Sequence, residues 1–231
     1  MLDSRSGSDS NRHSKLVGYN HGQRGFSQAR RPRQQDVVRG NVTFTGSIQK
    51  QLQLRQQYGL PSCADSVHVY VFGYADAMWP KWLRMWRHGA QKTVVWLAQG
   101  GLLVDLKNHF PELNALQQVG DKVSLQQVTV CLVPFVAQSE FDQVLQAADV
   151  SVVRGEDSVL RALWQGRVFW WQIYRQEDNA HHIKLQAFWQ RCRTHEQGLQ
   201  AACDEAVWQA HQTLSDELNG VRELDDAERA Q

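Results

Sequence analysis

Arg154-Gly155-Glu156-Asp157-Ser158 sets a guanidinium, two carboxylates and a hydroxyl around one glycine, directly after the apolar run Val150–Val153. Charges beside a core strand must be paired or hydrogen-bonded to be tolerated. Two arrangements meet that demand. In one, Asp157 or Ser158 caps a helix and Arg154 pairs with Glu156. In the other, Gly155 permits a sharp turn and the helix start offers free N–H groups and a partial positive charge. Arg154 then adds a forked donor, and the whole suits a diphosphate. The residues alone leave both open.

A second pair with chemical potential is Phe135 and Gln138, in Pro134-Phe135-Val136-Ala137-Gln138. An exposed ring there could stack on a base while the amide reads a pyrimidine edge. The plainer alternative buries Phe135 in the core and leaves Gln138 beside a helix cap. His181-His182, His195 and His211 have no ligand spacing with a carboxylate and read as surface histidines, so no metal site is expected. Gly-Lys-Ser/Thr, GxGxxG and GxSxG patterns are absent, which disfavours P-loop, dinucleotide and hydrolase readings.

These residues need a scaffold, and the chain has one. Short apolar runs at 67–74, 93–98, 128–135, 150–153 and 167–174 alternate with helical patterns at 79–89, 138–149 and from about 157 to 165. Continuous apolar strands separated by helices predict a doubly wound parallel α/β sheet covered on both faces. A weak helix is expected up to about Gln117, and helices from about Asn179 to Leu218, with an acidic tail beyond. Ligands of such sheets bind past the carboxyl ends of the strands, where Phe72-Gly73-Tyr74, Pro134–Gln138 and Arg154–Ser158 all fall.

Residues 1–46 differ from the rest. Through Gly40 they carry eight Lys/Arg against three Asp, net +5, with little apolar periodicity, and are expected to be disordered. A polar connecting helix is expected over 47–61, a nucleotide-binding domain over 62–195, and a C-terminal helix with its acidic tail over 196–231. Over all 231 residues the net charge is +1, which gives no steering toward nucleic acid or membrane. Four scattered cysteines read as reduced thiols. With no apolar run of about 18 residues and no signal-peptide pattern, a soluble cytoplasmic protein is the expectation. Nine tryptophans are expected mostly in the core, with Trp82 and Trp86 on one helical face.

The run PFVAQSEFDQVLQAADVSVVRGEDSVLRALWQGRVFWWQIYRQEDNAHHIKLQAFW resembles the protein-arginine rhamnosyltransferases that modify bacterial elongation factor P. Their pattern reads approximately RGEDS-FVRAQW-AG-PF-WHIYPQ-D-AH-KL-AF, and the likeness extends from about Leu60 to Trp189, more weakly from Ser47. Gln172 and Arg175 stand where that pattern has His and Pro.

The resemblance implies the C-terminal, donor-binding half of an inverting GT-B glycosyltransferase, with two Rossmann-like domains facing a cleft and no metal or other cofactor. The implied donor is dTDP-β-L-rhamnose and the implied acceptor an arginine of elongation factor P. Carried over by position, Phe135 would stack on thymine, Gln138 would read its edge and Tyr74 would lie near the deoxyribose. Arg154, Asp157 and Ser158 would contact the diphosphate, Glu156 would face the sugar and acceptor, and Tyr174 would line the pocket. The family's N-terminal D-N-x-G-D-x-G motif has no counterpart in residues 1–59. This chain is therefore expected to have little or no activity alone, an N-terminal domain being truncated, lost or supplied separately. The alternative is a non-catalytic dTDP-binding or interaction module. A basic-armed nucleic-acid binder is disfavoured by the near-neutral body.

Overall fold

A computed structural model describes residues 42–61, 65–76, 78–194 and 204–230. The expectations about residues 1–41, and the positions of Cys63, His195 and Cys203, lie outside the described residues. The elements are α1 (Val42–Gln57), β1 (Ser66–Val71), α2 (Met78–His88), β2 (Lys92–Ala98), α3 (Gly101–His109), β3 (Lys122–Leu125), β4 (Val128–Val133), α4 (Gln138–Ala147), β5 (Val150–Arg154), α5 (Glu156–Gln165), β6 (Val168–Gln172), α6 (Ala180–Thr194), α7 (Glu205–Leu218) and α8 (Asp226–Ala230). A 3₁₀ turn, Pro111–Ala115, follows α3 where Pro111 stops the α-helical pattern.

The six strands form one sheet in the order β3-β4-β2-β1-β5-β6. All pairings are parallel except β3 with β4. Successive residues point to opposite faces, so each strand feeds two cores. Tyr70, Val94, Trp96, Val133, Val153 and Trp171 meet α1, α4, α5 and α6 through Leu54, Phe141, Leu145, Val159 and Leu185. Val69, Val71, Val95, Leu97, Leu132 and Val152 meet α2 and α3 through Trp79, Trp82, Leu83 and Leu103. The doubly wound parallel sheet expected from the sequence is present. The antiparallel β3 is an addition, joined to β4 by Gln126-Gln127 with Gln126 at φ 56°.

Helix α1 begins at Val42, so residues 42–46 are helical where disorder was expected. It is held by polar contacts. Arg55 Nε donates to the Ala147 carbonyl at 2.8 Å and Gln51 Nε2 to Asp149 Oδ1 at 2.8 Å, while Arg55 Nη2 lies 2.7 Å from the same oxygen. Two side chains of α1 thus serve the end of α4, where carbonyls lack intrahelical donors.

The exposed edge of β6 is closed by α7. His211 Nε2 donates to the Phe169 carbonyl at 2.8 Å, Asn219 Nδ2 donates to the Trp171 carbonyl at 2.8 Å, and Asn219 Oδ1 accepts from Ile173 N at 2.8 Å. Side chains therefore complete the ladder and blunt an edge that could otherwise pair with another chain. Two histidines are not on the surface as expected. His181 is buried, its Nδ1 accepting from Gln176 N at 3.1 Å, and His211 is stacked between Trp170 and Trp208.

The acidic tail also folds back. Arg229 of α8 is buried against Glu217, with Nη2 2.5 Å from Oε1, and Trp82 Nε1 donates to the other carboxylate oxygen at 2.6 Å. The acids Glu217 and Glu223 are both paired, the second with Lys81, so the tail is a strap over α2.

The loop after β1 leads to the crevice at the strand ends. Tyr74 N donates to Gln172 Oε1 at 2.7 Å, the Tyr74 carbonyl accepts from Trp79 Nε1 at 2.8 Å, and Arg175 pairs with Asp76 at 2.7 Å. Gln172 and Arg175, the two departures from the family pattern, both brace this loop. Gly73 makes the approach possible: a Cβ there would lie 2.5 Å from Gln172 Oε1 and 3.0 Å from the Trp79 ring.

Two predictions follow from this packing. Gly73→Ala should cost about 1–3 kcal/mol in urea unfolding, the usual cost of overpacking; an unchanged midpoint would mean the loop does not sit this close. The second concerns pH. His68 is fully buried, its Nδ1 accepting from Trp96 Nε1 at 3.1 Å. Burial first, and Arg55 second, push its pKa from 6.5 down to about 4. His181 and His211 are lowered too, chiefly by burial. The unfolded chain therefore binds more protons than the fold in that range, and the stability held above pH 6.5 is lost as pH falls toward 4. Unfolding midpoints across this range should drop, and His68→Gln should flatten the drop; equal slopes would show that His68 is not a source of it.

Candidate functional site

The strand order reverses at β1. The chain builds β1, β2 and β4 outward on one side, then returns to lay β5 and β6 on the other. In open α/β sheets this is where a crevice opens beyond the carboxyl ends. The crevice here holds a hollow of about 220 Å³, lined by Tyr70, Phe72, Phe135, Val136, Gln138, Phe141, Asp157 and Ser158.

Phe135 is 69% exposed at the end of β4, so it is a ring offered to solvent and not a core residue. Phe72 stands edge-on to it at 6.0 Å and edge-on to Phe141 at 5.3 Å, backing the offered face with a packed aromatic row. Phe72 was not singled out by sequence reasoning, although it occupies the expected strand end.

At the end of β5 neither limb of the helix-cap alternative is present. Gly155, at φ 68°, is itself the N-cap of α5, and no side chain caps the helix. Its positive φ suits glycine. Arg154 does not pair with Glu156. Its guanidinium carbon lies 4.6 Å from the centre of the Phe72 ring and 4.9 Å from that of Tyr74. Glu156 turns away to pair with Lys184 of α6. The α5 start therefore carries backbone N–H groups free of side-chain caps, with a full positive charge beside them, the condition for holding an anion.

Asp157 and Ser158 line the hollow, but the Asp157 carboxylate is engaged. It accepts from Gln138 Nε2 at 3.0 Å and from Arg161 Nε at 2.9 Å. Partial burial raises this carboxyl, and the hydrogen bonds from Arg161 and Gln138 with the Arg161 charge outweigh that and hold it below the usual carboxylate range. Arg161 escaped the sequence reading, although its (i, i+4) spacing from Asp157 was visible there. Tyr74 and Tyr174 meet edge to face at 6.0 Å on the far side of Arg154, with Tyr174 69% exposed.

Seven of the eight expected site residues thus gather along the crevice in one sequence: Phe135, Gln138, Asp157 and Ser158 around the hollow, then Arg154, then Tyr74 and Tyr174. Glu156, the eighth, does not line the hollow and pairs with Lys184 of α6. Among the described residues no group of three His, Cys, Asp or Glu side chains could hold a metal ion. None of the described helices is long and apolar enough to cross a membrane. Burial lifts the Cys131 thiol to about 11, which leaves it unreactive.

Comparison with known proteins gives this arrangement its context. A protein-arginine rhamnosyltransferase of Neisseria meningitidis is 39% identical over 178 residues, covering 76% of this chain and 44% of the relative. One of Pseudomonas aeruginosa is 33% identical over 145 residues, covering 63% and 38%. A solved structure described as the structural basis for EarP-mediated arginine glycosylation of translation elongation factor EF-P superposes with a TM-score of 0.64 at 26% identity, over 78% of this chain and 54% of that one. The Rossmann-like sheet is accordingly of the GT-B glycosyltransferase type. The chain spans about half the length of the relatives it matches. The family of elongation-factor P (EF-P) rhamnosyltransferases, EarP, matches residues 16–229, reaching further at both ends than the likeness from Ser47 to Trp189. On that match, and on the relatives that share it, this chain belongs to the EarP family of elongation-factor P rhamnosyltransferases.

Proposed function

We propose that the crevice binds dTDP-β-L-rhamnose and forms the donor half of a protein-arginine rhamnosyltransferase acting on elongation factor P. The observation that carries this reading is the uncapped start of α5 with Arg154 held beside it and the exposed Phe135 ring across the hollow. A nucleoside diphosphate has parts that match these groups in kind: an aromatic base, a short linker and two phosphates. Phe135 stacks on thymine and Gln138 reads its edge. Arg154 and the backbone N–H groups of Asp157 and Ser158 receive the diphosphate, and Ser158 adds its hydroxyl. Tyr74 lies at the deoxyribose, and Tyr174 lines the pocket beyond.

In the transfer, an arginine nitrogen attacks the anomeric carbon from the face opposite the diphosphate and inverts it. The bond from that carbon to the diphosphate oxygen breaks, and dTDP leaves with the electron pair. Arg154 and the helix start stabilise the charge that grows on the departing oxygen, a contribution of the oxyanion-hole kind. The attacking guanidinium must lose a proton, and its pKa above about 12 makes it a poor nucleophile unaided. A carboxylate has to orient it and take the proton within hydrogen-bond reach. Of the carboxylates of this turn, Glu156 is assigned that role, although in this structure it is paired with Lys184. Acceptor positioning falls to residues outside this crevice, so the crevice by itself is not expected to complete the transfer.

Two experiments test the reading. Calorimetric titration with dTDP should show binding, with UDP weaker for want of the thymine methyl. Arg154→Ala should weaken dTDP at least about tenfold, the scale of a lost charged hydrogen bond, and leave thymidine nearly unchanged. No heat with dTDP on folded protein would sink the donor site, and equal losses for dTDP and thymidine would make Arg154 structural.

The second experiment incubates the chain with dTDP-β-L-rhamnose and unmodified elongation factor P and measures the acceptor's intact mass. No gain is expected from the chain alone, and a rhamnose-sized gain is expected when a relative's N-terminal domain is added. Transfer by the chain alone at the rate of a two-domain enzyme would overturn the division of labour. Binding of dTDP with no transfer under either condition would instead favour a nucleotide-binding module without catalysis.

A further inference from the structure

Gln138 stands in the first turn of α4, exposed and beside Phe135. Its Nε2 donates to Asp157 Oδ2 at 3.0 Å. A carboxylate has no proton to give, so the nitrogen end of the amide must face Asp157 and the oxygen must face away. Asp157 accepts from Arg161 Nε at 2.9 Å, and Arg161 Nη1 reaches back to α4 at Asp142, 3.0 Å away. The four side chains link the first two turns of α4 to the first two turns of α5, with Arg161 only 21% exposed. Gln138 Oε1 has no hydrogen-bond partner among the described residues.

An unrestrained glutamine amide turns over and presents either end to a ligand. We propose that Arg161, acting through Asp157, locks the Gln138 amide with its oxygen toward the hollow and thereby makes the site selective for pyrimidines with an imide N–H, thymine and uracil, over cytosine. This deepens the donor-nucleotide reading and rests on it.

Thymine and uracil carry a hydrogen at N3 between two carbonyls, so an outward amide oxygen accepts from N3 and the remaining amide N–H can serve a neighbouring carbonyl. Cytosine has a bare lone pair at N3. Against a fixed oxygen it sets lone pair on lone pair, and it is accommodated only if the amide turns over. Turning over breaks the bond to Asp157 and places the amide oxygen against a carboxylate that Arg161 keeps charged. A site built to hydrogen-bond one pattern rejects its complement because a polar group is left facing a group of the same kind. Arg161 touches no ligand in this scheme and is a positioning residue.

UDP and CDP differ only at the edge in question, so their affinity ratio reads the lock directly. Calorimetric titration of the whole chain should give CDP at least about tenfold weaker than UDP, with dTDP the tightest. Arg161→Met should bring the UDP–CDP ratio below about threefold while competition by inorganic pyrophosphate stays unchanged, because the diphosphate site is left alone. Gln138→Leu, at an exposed position, should erase the ratio in the same way and keeps the test open if Arg161→Met does not fold by circular dichroism. Equal wild-type affinity for UDP and CDP alongside clear dTDP binding overturns the lock and leaves the donor site standing. A ratio that survives Gln138→Leu, or an Arg161→Met chain that loses UDP and CDP by one common factor, also overturns it. Absence of binding by all three nucleotides overturns both readings together.

Discussion

The register of β5 against β1 is the constraint on which the site depends, and Asp149 secures it. These strands join the two halves of the sheet through only three paired positions, Val69 with Val150, Tyr70 with Ser151 and Val71 with Val152. Asp149 lies just before them. Its N–H donates to the His68 carbonyl at 2.9 Å, and its carboxylate accepts from His68 N at 2.8 Å while holding Gln51 and Arg55 of α1. A slip of one residue would shift Arg154 by about 3.3 Å along the strand and reverse the face of every β5 side chain. Arg154 would leave Phe72 and Tyr74, and α5 would start away from the hollow. A carboxylate at the amino ends of the strands therefore sets the geometry at their carboxyl ends.

The crevice itself is assembled from groups that restrain one another before any ligand arrives. Phe72 backs Phe135 and also carries Arg154, so the exposed ring and the cation of the crevice share one support. Gln138 and Asp157, contributed by different helices, are joined to each other. The loop bearing Tyr74 is pinned through Gln172 and Arg175. Placement of this kind lowers the ordering cost a ligand must meet on binding.

Much of this was legible in the sequence, and the failures have physical causes. Apolar strand runs and the chain-wide alternation revealed the sheet, and Gly155 with Arg154 marked the turn. Strand β3 was missed because Lys122–Leu125 is short and half-exposed, and Gln126-Gln127 lacks the Asn-Gly signal of a tight hairpin. Capping by Asp157 or Ser158 stayed open in the sequence because local capping is the usual use of such residues at a helix start. In the structure Arg161 and Gln138 both donate to Asp157 Oδ2, and a contact to Gln138, 19 residues away, leaves no local trace. His181 and His211 looked like surface residues because their partners, Gln176 N and the Phe169 carbonyl, are backbone groups that composition cannot reveal.

The strap formed by α8 bears on how such sequences can drift. Glu217 and Arg229 are both almost wholly buried, and Trp82 takes the carboxylate oxygen left over. Losing either charge alone strands the other in the interior, at a cost of about 3–5 kcal/mol, whereas replacing both with apolar residues of similar volume removes that penalty and leaves only neutral groups, the Trp82 N–H and the Leu224 carbonyl, to be satisfied. Natural variation at these positions should therefore be concerted, with intermediates purged. Covariation across homologues would record a selective valley that neither residue reveals by itself.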